Sequence, residues 1–168
     1  MKENLRGSKM SYTGLKVLLD STYILPSFGI EVEGLLDGHI KELREAALRG
    51  KVSFYCLPLV WIEIIGKVYR ESLRLGLEVK EIVEDAVRSL LISGFYRWIM
   101  PSSDAIALAF KLRALGHKDN IDNLLYATSV TNGMIFLTID ENLRSFLANK
   151  GFKTDHVMDH VKLLSKIK

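Results

Sequence analysis

The run LKVLLD, Leu15–Asp20, is short, nearly continuous in its apolar character and closed by an acid. Such a run lacks the in–out alternation of a half-exposed strand and reads as a strand covered on both faces, the environment of a parallel sheet. The pattern recurs in MIFLTID, where an apolar strand over Met134–Ile139 ends on Asp140. In an open parallel sheet, side chains just past the carboxyl ends of strands face the crevice where ligands bind. Asp20 and Asp140 therefore project into one place if their strands are neighbours.

The rest of the chain alternates in the same way. After Gly34, LLDGHIKELREAALRG sets Leu35, Ile40, Leu43, Ala47 and Leu48 at helical spacing and stops at Gly50. Lys51–Cys56 (KVSFYC) reads as a strand. Beyond Pro58 a long, mostly buried helix runs to Gly76, and an amphipathic helix follows over Val79–Ile92. Phe95–Met100 is a third strand. Ser102 or Ser103 caps a helix ending at Gly116, and Asp119 or Asn120 caps the next, from Ile121 to Thr131. A helix over Leu143–Lys150, a short strand near Val157 and a terminal helix complete an α/β pattern with a mainly parallel sheet and right-handed crossovers.

Length and composition bound what such a chain does. At 168 residues and 48% hydrophobic it is expected to form one domain over residues 1–168, with residues 1–14 a loosely ordered extension. A net charge of +3 excludes a polycation, so any grip on nucleic acid must come from a local patch. A single cysteine, Cys56, excludes an internal disulfide framework and fits a reducing, cytoplasmic compartment. No signal peptide is evident, and the longest uncharged stretch, Asn123–Ile139, is broken by Asn132-Gly133, so no membrane span is expected.

Taken singly, Asp20 and Asp140 read equally well as caps of the helices that follow them. Glu63 is harder to place, because a carboxylate in the first turns of an apolar helix is costly to bury unless a cation or hydrogen-bond donors meet it. The helix dipole and Lys67, four residues on, are the ordinary way to steady it. Gly66, on the same face, leaves space above the carboxylate. Asp122 sits at the third helical position after Asp119 in KDNIDNLLYATS, as in a capping box, with Asp119 itself the cap; Ala127, Thr128 and Ser129 would let that helix lie close to the sheet. Jointly, four acids at two strand ends and two helix starts can converge into a negative pocket that needs a divalent cation. All-oxygen ligands select Mg²⁺ or Mn²⁺ over zinc. None of the four histidines has metal-ligand spacing; His156 and His160, near the terminus, read as a solvated face.

This arrangement resembles the PIN domain family, named for the PilT amino terminus, which includes VapC-type toxins and archaeal stand-alone nucleases. The residues that carry the resemblance are VLLDSTYIL, Glu63 in WIEIIGKV, DNLLYATS from Asp122 and FLTIDENL at Asp140, in the family's order. It implies a three-layer α/β/α sandwich and a metal-dependent endoribonuclease, often a homodimer, acting on RNA as the toxin of a toxin–antitoxin pair or as an RNA-processing nuclease. The family's acids map to Asp20, Glu63, Asp122 and Asp140 as catalytic and Mg²⁺- or Mn²⁺-binding residues, with Ser21 and Thr138 as supporting hydroxyls. A toxin would bring an antitoxin protein as partner. The chain departs from a minimal VapC toxin in its first 14 residues and in an added helical stretch between Val79 and Pro101.

A cation held by such carboxylates supplies charge for a phosphodiester oxygen and acidifies an attacking water, and hydrolysis then leaves a 5′-phosphate and a 3′-hydroxyl. Lys67, Arg70, Arg74 and Lys118 are placed to contact an RNA backbone, although a helix with a basic residue in every turn is more often simply solvated. Tyr23, Phe28, Tyr69, Tyr96 and Trp98 could stack on bases, with core packing the ordinary role for most. A haloacid-dehalogenase-like phosphatase needs a second acid two residues after its first, where this chain has Thr22. The non-enzymatic alternative is a PIN-like RNA-binding or scaffolding module that keeps its acids for structure.

Overall fold

The computed structural model describes residues 14–168 except positions 77 and 79; the expected amino-terminal extension lies outside the described residues, Gly14 apart. Five strands form one all-parallel sheet: β1 (Leu15–Leu19), β2 (Val52–Cys56), β3 (Tyr96–Trp98), β4 (Ile135–Leu137) and β5 (Val157–Met158). Seven helices alternate with them: α1 (Asp37–Leu48), α2 (Val60–Leu75), α3 (Lys80–Ile92), α4 (Ser103–Ala114), α5 (Asn120–Thr131), α6 (Glu141–Asn149) and α7 (His160–Ile167). The strand order is β3-β2-β1-β4-β5. The chain thus builds outward from β1 in one direction, then returns to lay β4 against the other side of β1, so the order reverses between β1 and β4.

Burial follows the apolar runs. Val17, Leu18, Leu19 and all of β2 are shielded, as are Phe136 and Leu137 of β4, which is why these strands carry almost no polar alternation. One cluster of buried residues joins the strands to α1, α2, α3, α6 and α7. Gly14 enters β1 where an added Cβ would run into the backbone of Gly50 and Lys51, a close approach that only glycine permits.

The predicted elements recur with small shifts at their ends, and two features differ. The segment after Asp20, where a capped helix is one reading of the sequence, is two short 3-10 turns, Ser21–Tyr23 and Leu25–Phe28, with Pro26 in the first turn of the second and Gly29 closing it. The small residues of α5 also divide their work. Ala127 packs with Ala105 and Ala109 of α4, so it lets two helices approach rather than bringing α5 to the sheet. Thr128 and Ser129 are fully buried.

No helix among the described residues is long and apolar enough to cross a membrane. Leu18, in the middle of β1, is completely buried. Leu18→Ala should lower the unfolding free energy by about 2–5 kcal/mol, read as a fall in the urea midpoint at unchanged slope.

Candidate active site

Parallel pairing sets Val17, Leu18 and Leu19 opposite Ile135, Phe136 and Leu137. The next residues, Asp20 and Thr138, are therefore carried side by side past the sheet. The Asp20 N–H continues the ladder by donating to the Leu137 carbonyl at 3.1 Å. Thr138 then joins the two strand-end acids: its hydroxyl donates to Asp20 Oδ2 at 3.0 Å and accepts from the Asp140 N–H at 3.1 Å. Thr22 donates to the same Asp20 oxygen at 3.2 Å.

The two aspartates are used differently. Asp20 is buried, and its carboxylate caps nothing, although it precedes a 3-10 turn. Asp140 is a helix cap, with Oδ1 accepting from the Leu143 N–H at 3.0 Å. The capping alternative therefore holds for Asp140 and fails for Asp20. Thr22, noted in the sequence only as a missing acid, and Thr138 are the hydroxyls that fix Asp20. Periodicity carries no signal for Thr22, whose role depends on the turn after β1.

Glu63 and Asp122 arrive from helices that start at the same edge of the sheet. A helix connecting parallel strands runs back against them, so its first turn lies near their carboxyl ends. Glu63 is in the first turn of α2 and Asp122 in that of α5. Asp119 caps α5, accepting from the Ile121 and Asp122 N–H groups at 2.9 and 3.1 Å. Lys67 lies 3.9 Å from Glu63 Oε1 and donates to Ser21 Oγ at 3.1 Å, while Glu63 Oε2 is buried with no hydrogen-bond partner. An added Cβ on Gly66 would meet open space, so the helix beside Glu63 remains clear.

Asp122 registers the charge of this edge. Burial, followed by the negative charges of Asp20, Asp119, Asp140 and Glu63, pushes its carboxyl from the ordinary 3.8 up to about 8. The acids act on one another electrostatically, yet among the described residues no three of them stand close enough to form a preassembled metal shell. Coulomb interactions reach farther than metal–oxygen bonds, so both statements hold. An all-carboxylate donor set and the orphaned Glu63 oxygen fit a hard divalent cation such as Mg²⁺ or Mn²⁺.

The remaining candidates separate by exposure. Arg74 is ion-paired with Glu71. Arg70 and Lys118 are exposed. Of the aromatics, Tyr23 and Phe28 are buried, and Trp98 stacks on Trp61 and donates its indole N–H to the Leu90 carbonyl. Tyr96 packs against Phe54 and Phe95, which leaves Tyr69, 62% exposed, with a ring face turned to solvent. The expected solvated face for His156 and His160 is not observed. His160 is buried, Nδ1 sits 3.1 Å from the Tyr23 hydroxyl, and its ring leans on His39. Nε2 of the half-buried His156 lies 3.1 Å from Ser129 Oγ. Partners from the turn after β1, from α1 and from α5 cover the two imidazoles, which spacing near a chain end does not reveal.

No family model matches the sequence, and no curated protein matches it. Among solved structures the chain is similar to PAE2754 from Pyrobaculum aerophilum, with 15% identity and a TM-score of 0.59 over 99% of this chain and 97% of that one. It is also similar to a chain of VapBC2 from Rickettsia felis, solved bound to a DNA fragment from their promoter, with 12% identity and a TM-score of 0.57 over 86% and 97% of the two chains. VapC20 from Mycobacterium tuberculosis, a sarcin–ricin loop cleaving toxin, matches with 13% identity and a TM-score of 0.52 over 82% and 96%. The fold is the α/β/α arrangement of these PIN-domain structures, a five-stranded parallel sheet flanked by helices, as the sequence leads one to expect.

Two outcomes follow from the geometry. Thr138→Val keeps the side-chain shape but leaves Asp20 Oδ2 and the Asp140 N–H each short of a partner, and should cost about 1–3 kcal/mol in denaturant unfolding. Asp122 binds a proton more tightly folded than unfolded. Between its ordinary 3.8 and about 8, the folded chain holds a proton that the unfolded chain releases, so stability falls as pH rises through that window. Melting temperatures in chelator should decline from pH 5 to pH 8, and Asp122→Asn should flatten the decline.

Proposed function

We propose that this protein is a divalent-metal-dependent endoribonuclease whose centre is formed by Asp20, Glu63, Asp122 and Asp140. The observation that carries the reading is the gathering of carboxylates at the β1/β4 reversal, where burial and then the charges of Asp20, Asp119, Asp140 and Glu63 push Asp122 up to about 8, beside a buried Glu63 oxygen with no partner. Bound Mg²⁺ or Mn²⁺ would supply charge for the phosphodiester oxygens and acidify the attacking water. Asp20, locked by Thr22 and Thr138, and Asp140, fixed at the start of α6, would be the rigid ligands. Glu63 offers Oε2. Asp122 would complete the donor set beside them.

RNA would lie across the carboxyl edge of the sheet. Arg70 on α2 and Lys118 before α5 are exposed for phosphate contacts, and Tyr69 offers a ring for a base. Arg74 contributes less, being held by Glu71.

The biological role we favour is that of a toxin whose partner is an antitoxin protein. An apolar groove of about 320 Å³ between α2 and α3, lined by residues such as Trp61, Ile65, Val68, Val83 and Leu91, supports a protein partner, and one similar structure is a VapBC assembly. On α4, Phe110 is 73% exposed beside Ile106, a face suited to a second copy in a homodimer. Such a protein would act in the cytoplasm, as a single domain over residues 1–168.

Labelled RNAs incubated with Mn²⁺ or Mg²⁺ test the reading directly. The wild type should cleave, EDTA should stop it, and Asp20→Asn and Asp140→Asn should each lower the rate by at least about 100-fold with the fold retained. Equal inactivity of all three proteins, with RNA still bound, would assign the chain to the scaffold class instead.

A further inference from the structure

The sequence offers Lys67 two roles, a contact for an RNA backbone and a partner for Glu63 four residues earlier, and its ammonium is found beside Glu63. It sits 3.9 Å from Glu63 Oε1 and donates at 3.1 Å to Ser21 Oγ, on the residue that follows Asp20. Ser21 is fully buried, and the Lys67 side chain is only 35% exposed. Other cations near these elements have partners of their own: Arg74 with Glu71, Arg144 Nη1 with Glu141, and Arg113 Nη1 with the Lys118 carbonyl. The charges acting most strongly on Asp122 are all negative.

We propose that the Lys67 ammonium is a built-in counter-ion that holds the Glu63 carboxylate while the site is empty, and that a divalent cation must take Glu63 from it. The inference rests on the reading of the acids as a cation site. Four carboxylates at one edge repel one another, and a tethered positive charge offsets part of that repulsion without filling the site. The arrangement is asymmetric. Lys67 engages Oε1 and is anchored on its far side by Ser21, while Oε2 is left over for another cation. A divalent ion that draws on Glu63 competes with the ammonium for the same carboxylate and is repelled by it. Lys67 therefore raises the metal concentration at which the site fills. It is a positioning residue that acts through Glu63 and not a phosphate contact.

The test is a titration of the full chain with Mn²⁺ alone, with free Mn²⁺ read by electron paramagnetic resonance. Melting curves in chelator verify folding. A partly exposed ion pair of this kind is worth up to about fivefold in an equilibrium constant. K67M and K67Q should bind Mn²⁺ about two- to fivefold more tightly than the wild type, and K67R, which keeps the charge, should match the wild type. In an E63Q background, removing Lys67 should no longer change the affinity, since the coupling runs through that carboxylate. Unchanged Mn²⁺ affinity with a raised KM for RNA would overturn the proposal in favour of a phosphate contact. Weaker Mn²⁺ binding in K67M and K67Q would overturn it in favour of an orienting role. A wild type that takes up no Mn²⁺ removes the cation site and this proposal together, whereas a wild type that binds it while K67M and K67Q show no tightening removes the proposal alone.

Discussion

The parallel pairing of β1 with β4 is the constraint on which the carboxyl edge of the molecule depends. Residues 17–19 and 135–137 run in register, so the next positions on the two strands emerge together and Thr138 can bond to both Asp20 and the backbone of Asp140. A slip of one residue would draw Asp20 into the covered body of the sheet or push Leu19 past its edge, and would exchange the faces of the side chains between them. The apolar character of both runs penalises such a slip heavily. The hydrophobic effect therefore holds two carboxylates where electrostatics alone would not leave them.

Each acid at this edge has a different local means of support, and the differences bear on chemistry. Asp20 is buried and fixed by two hydroxyls, Asp140 by a helix N-terminus, and Glu63 by one ammonium on one oxygen. Asp122, in the first turn of α5, is pushed toward its protonated form by burial and by its acidic neighbours. The protein tolerates the cluster through dispersed supports rather than a single strong pair, so the empty edge stays negative and open to a cation.

Much of the fold was legible from local pattern. Apolar runs without alternation marked the buried strands, and Gly50, Gly76, Gly116 and Gly133 marked helix ends, where all four adopt positive φ. The caps of α4 and α5 were each narrowed to two neighbouring residues, of which Ser102 and Asp119 serve, because capping is chemistry within a few residues. The paired 3-10 turns after Asp20 were not legible, since their residues carry neither helical nor strand periodicity. Nor were the buried positions of His156 and His160, whose cover comes from Ser129, Tyr23 and His39, far away in the chain.

The sequence by itself determined the element order, the parallel sheet and the identity of the acids, because each is written in spacing of a few residues. Only the tertiary structure decided that β1 and β4 are neighbours, that Thr138 holds the Asp20 carboxylate, and that Lys67 reaches Ser21 as well as Glu63. Those facts depend on contacts between segments tens of residues apart. Such contacts are set by which apolar faces bury together, and no local window of the chain records them.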